Sequence, residues 1–475
     1  MTVIGLDDTD SRERGMCTTY AAALAADCLR ERGATVERLL LVRLNPAVEY
    51  KTRGNAALAV HTDADPGAAF DLVADVIDDR AETGDERTNP GLVVLDGDPE
   101  ALGPRDALAR FARSAVRDRL SIEDSEALLA RTDCHHAGWG DGRGRIGALA
   151  AVGAWSAFDD GGAGPTAGNE ADADWTHERI AYRERDRWGT PRDVDRDSVF
   201  AAADDGYPEV WDTVDRGSDE VVCVPRTPGP VLYGIRGESA AAVESAAAAV
   251  EAERIERAET FLTNQGTDVH LRTAPLSDVL DGRAYRTTGR VAGPPETRRG
   301  GHVFVPLAAA SDGESGAERD AGGAEAAASD PPAGPALVRC AAFEPTKRFR
   351  DRVRALRPGD RITACGEFTA DAARGDPPDD GARGTLKLEK FAVRGLVTVE
   401  RVTPECPDCG RRMESAGRGQ GYRCRDCSTS ADGKAERALD RALEPGWYEV
   451  PPRARRHIAE PLVRGGFDAP THPER

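Results

Sequence analysis

The sequence predicts a multidomain protein of mixed α/β and α+β class, and three observations carry that reading. Short apolar strands alternate with alanine-rich amphipathic stretches through residues 1–157, the pattern of helices laid over a sheet. From residue 273 the pattern turns all-β, with five short strands and a helical stretch between the third and fourth, the order of an OB-fold β-barrel. Near the C-terminal end, "CPDC" and "CRDC" form two CxxC pairs. At ~150 residues per domain, a chain of 475 residues holds about three or four domains.

In the first domain (1–157), "TVIGL" reads as a buried strand and "CTTYAAALAADCLRERG" (17–33) as a helix stopped at Gly33. "RLLLVRLNP" is a strand closed by Asn-Pro and "NAALAVHT" another; "PGAAFDLVADVIDDRAET" is a helix and "PGLVVLDG" a strand. Two more helical stretches fill residues 100–130. Residues 158–175, rich in glycine and acid and without periodicity, read as a linker. Over 176–272, "RIAYR", a helix near 197–205, "VVCVP…PVLYGIRG", the helix "SAAAVESAAAAVEAERI" and the strand "AETFLTN" predict a ferredoxin-like α+β domain. The barrel domain spans 273–400, its strands "AYRTTGRVAG", "HVFVPL", "ALVRCAAF", "RITACGEF" and "LKLEKFAVRGL". The low-complexity stretch 311–334 reads as a disordered insertion in it. A zinc ribbon follows at 401–430, then a short helix and polar tail at 431–475.

The net charge is −20, and the basic residues are nearly all Arg, with Lys only at 51, 347, 387, 390 and 434. That surface suits a salt-rich cytoplasm, where salt screens self-repulsion, so net acidity does not exclude a nucleic-acid partner and local basic patches decide. No apolar run nears the ~18 residues of a membrane span, and no signal core opens the chain, so a soluble, cytoplasmic protein is expected.

The four paired cysteines, Cys406, Cys409, Cys424 and Cys427, offer two knuckles and four thiolates, the ligand set of a structural Zn²⁺; a redox pair is the other reading. Arg411, Arg412, Arg418, Arg423 and Arg425 surround them, as phosphate contacts or as solvation of a small module. "EPTKRFRDRVR" gathers Lys347, Arg348, Arg350, Arg352 and Arg354 around Phe349, either a single-strand-binding patch or plain helix surface. Asp7, Asp8 and Asp10 close an apolar strand ahead of Gly15 and a helix. Carboxylates there hold Mg²⁺, or cap and shape a turn. Lys51 and Arg53, with Gly54 and Asn55, form a turn able to hold phosphate oxygens. "GWGDGRGRIGALAAVGA" (138–154) is a glycine-rich loop entering a helix, a phosphate cradle or a close-packing device. "TNQGTD" (263–268) places Asn264, Gln265 and Asp268 to read base edges, hold a small cation or build a turn around Gly266; spacing does not decide.

"GLDDTDS…GMCTTY", "RLNP…YKTRGN", "GRGRIGALAAVGA", "TNQGTD", "EPTKRFR" and the CxxC pairs, in this order, resemble the archaeal isoleucine-tRNA 2-agmatinylcytidine synthetases (TiaS), over nearly the whole chain to about residue 430. The resemblance implies that residues 1–157 form a kinase-like catalytic domain. It also implies ATP-dependent attachment of agmatine to the 2-position of the wobble cytidine, with release of AMP and pyrophosphate, so that the tRNA reads AUA. Asp7, Asp8 and Asp10 then hold Mg²⁺ on ATP, and Thr18 is the threonine that becomes phosphorylated. Lys51, Arg53, Gly54, Asn55, Arg143, Gly144 and Gly147 steady phosphates, and Lys347, Arg348, Phe349, Arg350, Arg412 and Arg423 face the tRNA. A non-enzymatic nucleic-acid-binding protein leaves the first 150 residues without purpose. A Mg²⁺-dependent phosphoesterase leaves the RNA-binding modules unexplained.

Overall fold

The protein is described by a computed structural model covering residues 1–51, 54–97, 106–158, 175–309, 336–371 and 381–475. Arg53, the insertion 311–334 and all but the two ends of the expected linker lie outside the described residues.

The N-terminal half carries β1 (Thr2–Asp7), α1 (Thr18–Glu31), β2 (Val36–Arg43), β3 (Ala56–Thr62), α2 (Pro66–Arg80), β4 (Gly91–Asp96), α3 (Ala107–Arg117), α4 (Ile122–Leu129), β5 (Cys134–Gly138) and α5 (Gly144–Phe158). Alternate residues of each strand face opposite sides, as the pleat requires. Val3, Leu40, Val42, Ala59 and Val93 pack under α3 and α5. Ile4, Leu6, Leu39, Leu41, Val60 and Leu92 pack under α1 and α2. Strand β5, "CHHAG", lacks an apolar run and is not evident from pattern; it is held by its pairing with β4.

The next segment adds β6 (Thr176–Arg183), α6 (Arg196–Gly206), β7 (Val210–Trp211), the small hairpin β8 (Val214–Asp215) and β9 (Glu220–Val221), β10 (Val231–Gly237), α7 (Ala240–Ala248) and β11 (Ile255–Thr263). The expected helix 239–255 stops at Ala248, and Ile255 already begins a strand. Apart from the hairpin β8–β9, these strands do not build a sheet of their own. β11 pairs parallel with β2 at Leu262–Leu40 and Thr263–Leu41. One nine-stranded sheet results, in the order β5-β4-β1-β3-β2-β11-β6-β10-β7, and every other pairing along it is antiparallel.

The short strand β12 (Leu271–Thr273) leads into the C-terminal half. There β13 (Arg283–Val291), β14 (Glu296–Thr297), β15 (Val303–Ala309), β16 (Leu337–Ala342), α8 (Phe349–Arg354), β17 (Arg361–Ala370) and β18 (Gly384–Gly395) follow. β13 pairs with β15, β15 with β16, β16 with β18, β18 with β17 and β17 with β13. The five strands close a barrel, with α8 in the predicted slot between the third and fourth. The C-terminal segment corrects the expected helix: among the described residues 431–475 hold no α-helix. Gly446–Glu449 instead pairs with β18, and Thr471–His472 with that strand. Trp447, Ile458 and Leu462 are buried against the barrel. Pro451, Pro452 and Pro461 lack the N–H a helix needs there.

The barrel meets the sheet through charge. The two carboxylate oxygens of Asp268 each accept from Lys390 Nζ at 2.9 Å; Arg286 donates at 2.5 Å and the Glu460 N–H at 2.8 Å. Arg455 is buried between Asp212 and Glu449, and Arg464 donates to Glu238 and to the Gly266 carbonyl, each at 2.8 Å. "TNQGTD" is therefore a structural hub: Asn264 accepts the Arg43 N–H at 2.7 Å and donates to the Arg43 carbonyl at 3.0 Å.

Two imidazoles stand edge to face at the same junction, His270 and His457, with centroids 5.3 Å apart. Burial pushes His270 down to about 3 and His457 well below the usual histidine range. Folded-state values below the unfolded one mean stability that is present above about pH 6.5 and lost as pH falls. The His270 share of the difference between denaturant unfolding at pH 7 and pH 4.5 is expected to be about 2–3 kcal/mol. A His457→Gln variant should show a markedly shallower pH dependence.

Candidate active site

The C-terminal end of β1, an interior strand of the sheet, and the turn after it deliver three carboxylates to one place. Asp7 closes β1, and Asp8 follows in the left-handed region at φ 58°. That turn lets Asp7 Oδ1 accept the Asp8 N–H at 2.7 Å. Asp8 Oδ2 accepts the N–H of Asn89 at 2.9 Å. Asn89 then reaches the glycine-rich loop, its Oδ1 accepting the Asp141 N–H at 3.0 Å and its carbonyl the Gly144 N–H at 2.9 Å.

The glycines of that loop have a packing reason. A Cβ on Gly147 would stand 1.9 Å from Asp7 Oδ2, and one on Gly144 2.4 Å from the Gly91 nitrogen. Only glycine brings the first turns of α5 against the Asp7 carboxylate, where the positive end of the helix dipole favours negative charge.

The carboxylates crowd one another. Burial first, then the charge of Asp8, holds Asp7 well above the usual carboxylate range. Burial, reinforced by Asp10 and Asp141 and opposed by the Asn89 N–H and Arg143, pushes Asp8 up to about 7. Thr18 opens α1 and is buried, its Oγ1 accepting from the Thr9 hydroxyl at 3.2 Å.

Asp7, Asp8, Asp10, Thr18, Lys51, Gly54, Asn55, Arg143, Gly144 and Gly147 all line one cavity of about 560 Å³. Every described residue of the predicted catalytic and phosphate sets is thus brought together, from four separate stretches of sequence. Arg143 lies over the Tyr50 ring at 4.1 Å and pairs with Asp141 at 3.0 Å. Burial, aided by Arg456 and Lys387 and opposed by Glu367, lowers Lys51 from the ordinary lysine value. Asn55 donates to the Asn45 carbonyl at 2.8 Å.

Sequence reasoning missed two residues at this site. Arg43, inside the quoted "RLNP", lines the cavity, its Nε donating to Gln265 Oε1 at 2.8 Å. Asn89 carried no signal, because its role lies in backbone and side-chain bonds to segments distant in sequence.

The part of Phe349 in the basic patch of α8 is corrected. Phe349 is fully buried, its ring 5.6 Å from Phe391 in the barrel core, so it cannot stack on a base. Arg348 pairs with Asp215 at 2.9 Å and with Glu474, tying the barrel to the hairpin β8–β9. Lys347 pairs with Glu344 at 2.6 Å, and Arg350 donates to the Gly301 carbonyl at 2.6 Å. Helical periodicity placed Phe349 inward, and local carboxylates absorb much of the charge.

The four cysteine sulfurs, Cys406, Cys409, Cys424 and Cys427, all lie within 4.8 Å of one another. Their donor set suits a four-coordinate thiophilic ion. Among the described residues only these cysteines draw so many ligand atoms to one point. Asp7, Asp8 and Asp10 do not converge so tightly. Among the described residues no helix is long and apolar enough to cross a membrane.

A multidomain α/β protein with an acidic, glycine-backed cavity, a five-strand barrel and a Cys₄ ribbon has the parts of a nucleotide-using enzyme that handles nucleic acid. Family models for the TiaS TCKD domain match residues 3–68, for the TiaS FLD domain 142–270, and for the TiaS C-terminal zinc ribbon domain 403–443. The isoleucine-tRNA 2-agmatinylcytidine synthetase TiaS of Haloquadratum walsbyi is 51% identical over 491 residues, covering 100% of both chains. That of Methanosarcina mazei is 44% identical, covering 97% of each. Among solved structures, a complex of TiaS with its isoleucine tRNA and ATP is similar with TM-score 0.79 and 39% identity, covering 100% of this chain and 99% of the other. A complex of TiaS with the same tRNA, AMPCPP and agmatine gives 0.76 and 37%, with the same coverage. The chain belongs to the TiaS family of isoleucine-tRNA 2-agmatinylcytidine synthetases.

Asn89→Ala removes the acceptor for the Asp141 N–H. Thermal or denaturant melts should show a loss of about 1–2 kcal/mol, and hydrogen exchange should quicken at residues 139–143 with the rest of the sheet unchanged.

Proposed function

We propose that this chain joins agmatine to the 2-position carbon of the wobble cytidine in the AUA-reading isoleucine tRNA, using ATP and releasing AMP and pyrophosphate. The observation that carries the reading is the single cavity where Asp7, Asp8, Thr18 and the glycine-backed head of α5 meet. It lies in a chain alignable end to end with relatives solved with their isoleucine tRNA, ATP and agmatine.

The 2-oxo group of cytosine is a poor leaving group; transfer of an adenylyl or pyrophosphoryl group from ATP to its oxygen makes it a good one, and the agmatine amine, losing a proton, displaces it at C2, so that the cytosine oxygen departs within the AMP or the pyrophosphate released. The base must leave its stack to be reached. Asp7 and Asp8, crowded and held above the usual carboxylate range, are the residues that would hold Mg²⁺, with Asp10 beside them. Mg²⁺ supplies charge neutralisation on the triphosphate. Lys51, Arg143 and the turn Gly54–Asn55 bound the same space and steady phosphate oxygens, as we read for Arg53 too. Gly144 and Gly147 bring the α5 N-terminus close enough to add its dipole. Thr18, buried at the head of α1, is the residue we read as phosphorylated.

We read residues 1–157 as the kinase-like domain, 176–272 as ferredoxin-like, the five-strand barrel within 273–400 as an OB fold, and the Cys₄ ribbon as a structural zinc site. Exposed Arg412 and Arg423 on the ribbon, with Lys347 and Arg350 beside the barrel, are its tRNA-facing cations. The setting is the cytoplasm.

Incubation with ATP, labelled agmatine and a transcript of the AUA-reading isoleucine tRNA should place label on the tRNA and form AMP. A gel shift without ATP turnover would instead indicate a binding protein, and phosphate release independent of agmatine a hydrolase. Asp8→Asn should lower product by roughly 100-fold or more while tRNA binding persists. The purified chain should carry one zinc, measured by a colorimetric chelator; Cys406→Ser should lose it and weaken tRNA binding, because so small a ribbon depends on its ion to fold.

A further inference from the structure

Val399–Val402 and Ala435–Ala438 pair antiparallel and form a two-stranded arm, with the cysteine ribbon at its far end. The facing pairs are Val399–Ala438, Glu400–Arg437, Arg401–Glu436 and Val402–Ala435. Among the described residues, the hydrogen bonds and ion pairs of 399–438 stay within that segment. Its small core of Cys406, Met413 and Cys424 closes on itself. The direction of the arm relative to the barrel is therefore set at its root.

The root is one buried ion pair. Asp360, in the turn ahead of β17, is fully buried, and the Arg441 side chain is 6% exposed. Arg441 Nη1 donates to Asp360 Oδ1 at 2.9 Å and Nη2 to Oδ2 at 2.6 Å, a fork on a fork. The same two nitrogens donate to the Val397 carbonyl at 2.6 Å and the Ala355 carbonyl at 3.2 Å. Asp360 also accepts the N–H of Val397 and that of Arg357, each at 2.8 Å. Val397 leads the chain out of the barrel and Arg441 ends its return, so one carboxylate holds both legs of the arm. Ala355 and Arg357, just after α8, tie that point to the barrel. The bond from the Leu439 N–H to the Thr398 carbonyl, 2.8 Å, joins the legs to each other and not to the barrel.

A strand advances about 3.3 Å per residue, so five residues beyond the root put the ribbon about 17 Å out, and a turn of about 15° at the root shifts it by about 4 Å. Lysine is no substitute here, because an ammonium cannot meet two coplanar oxygens and two carbonyls at once.

We propose that the Asp360–Arg441 clamp fixes the angle of the ribbon arm on the barrel, and thereby where the ribbon meets the tRNA. The link to tRNA rests on the functional reading above; the clamp itself does not. Asp360 and Arg441 are positioning residues.

The test is the distance between two spin labels, carried on unnatural residues in place of the exposed Arg299 on the barrel and the exposed Lys434 at the far end of the arm. It is measured by pulsed dipolar spectroscopy on the full, zinc-loaded chain. Asp360→Asn combined with Arg441→Met removes both charges, so that neither is left stranded in the core. The distance distribution should widen by about 4 Å or more. KM for tRNA should rise about 5-fold, with zinc content, affinity for a nonhydrolysable ATP analogue and kcat at saturating tRNA held. Arg441→Lys should fall between wild type and the double variant, and carries the same measurement if the double variant does not fold. Glu400→Gln, which breaks an ion pair within the arm, should leave the distribution as in wild type.

An unchanged distribution in the double variant, or in Arg441→Lys standing in for it, would overturn the clamp. So would equal widening in Glu400→Gln, which places the stiffness along the arm. Widening with KM for tRNA unmoved would overturn the clamp's part in seating the tRNA. Failure of the wild-type chain to bind the transcript would sink the functional reading and leave the distance result standing.

Discussion

At Gly5 an added Cβ would stand 2.0 Å from the Ala148 carbonyl oxygen, and at Gly91 2.0 Å from the Arg145 nitrogen. Helix α5 lies on β1 and β4 backbone to backbone, with no side chain between. That contact is what sets the head of α5 against the Asp7 carboxylate and, through Asn89, ties the glycine-rich loop to Asp8. A methyl group at any of these glycines would force the helix away, since packed interiors yield little. The acidic corner is thus a product of packing before it is a product of chemistry. Its carboxylates are crowded because a helix is pressed against them.

The junction of sheet and barrel rests on the opposite kind of bond. Asp268, Arg286, Lys390, Asp212, Arg455 and Glu449 form partly and fully buried ion pairs. Such pairs cost desolvation and gain geometry. Removing one partner leaves the other stranded, so the barrel has one seat on the sheet. Salt screens exposed charges strongly and buried ones far less. A chain whose composition suits a salt-rich medium keeps its domain contacts where that medium has least effect.

Much of this was legible in the residues. The strand–helix alternation, the five barrel strands with their helix, and the cysteine quartet all stand where periodicity and spacing placed them. So do the acidic corner, Lys51, Arg143 and the glycines of α5, because each belongs to a local motif. What stayed hidden was non-local. Nothing in "AETFLTN" says that β11 will pair with β2. Phe349 sits among arginines in sequence, yet helix geometry turns it into the core. "TNQGTD" offered three readings, and only the tertiary structure shows Asn264 clamping Arg43 and Asp268 anchoring the barrel. The expected C-terminal helix failed for a local reason that was visible: the prolines around Trp447 favour extended chain.

The parallel pairing of β2 with β11 carries a consequence for how such an enzyme can be taken apart. Two registered residue pairs join the five N-terminal strands to the four strands that follow. Cutting the chain between them would leave Leu40 and Leu41 of β2, and Leu262 and Thr263 of β11, without their partner strand, an edge open to pairing with other copies. The two sets of strands are therefore not modules that recombination can trade freely. They share one sheet, and each completes an edge of the other.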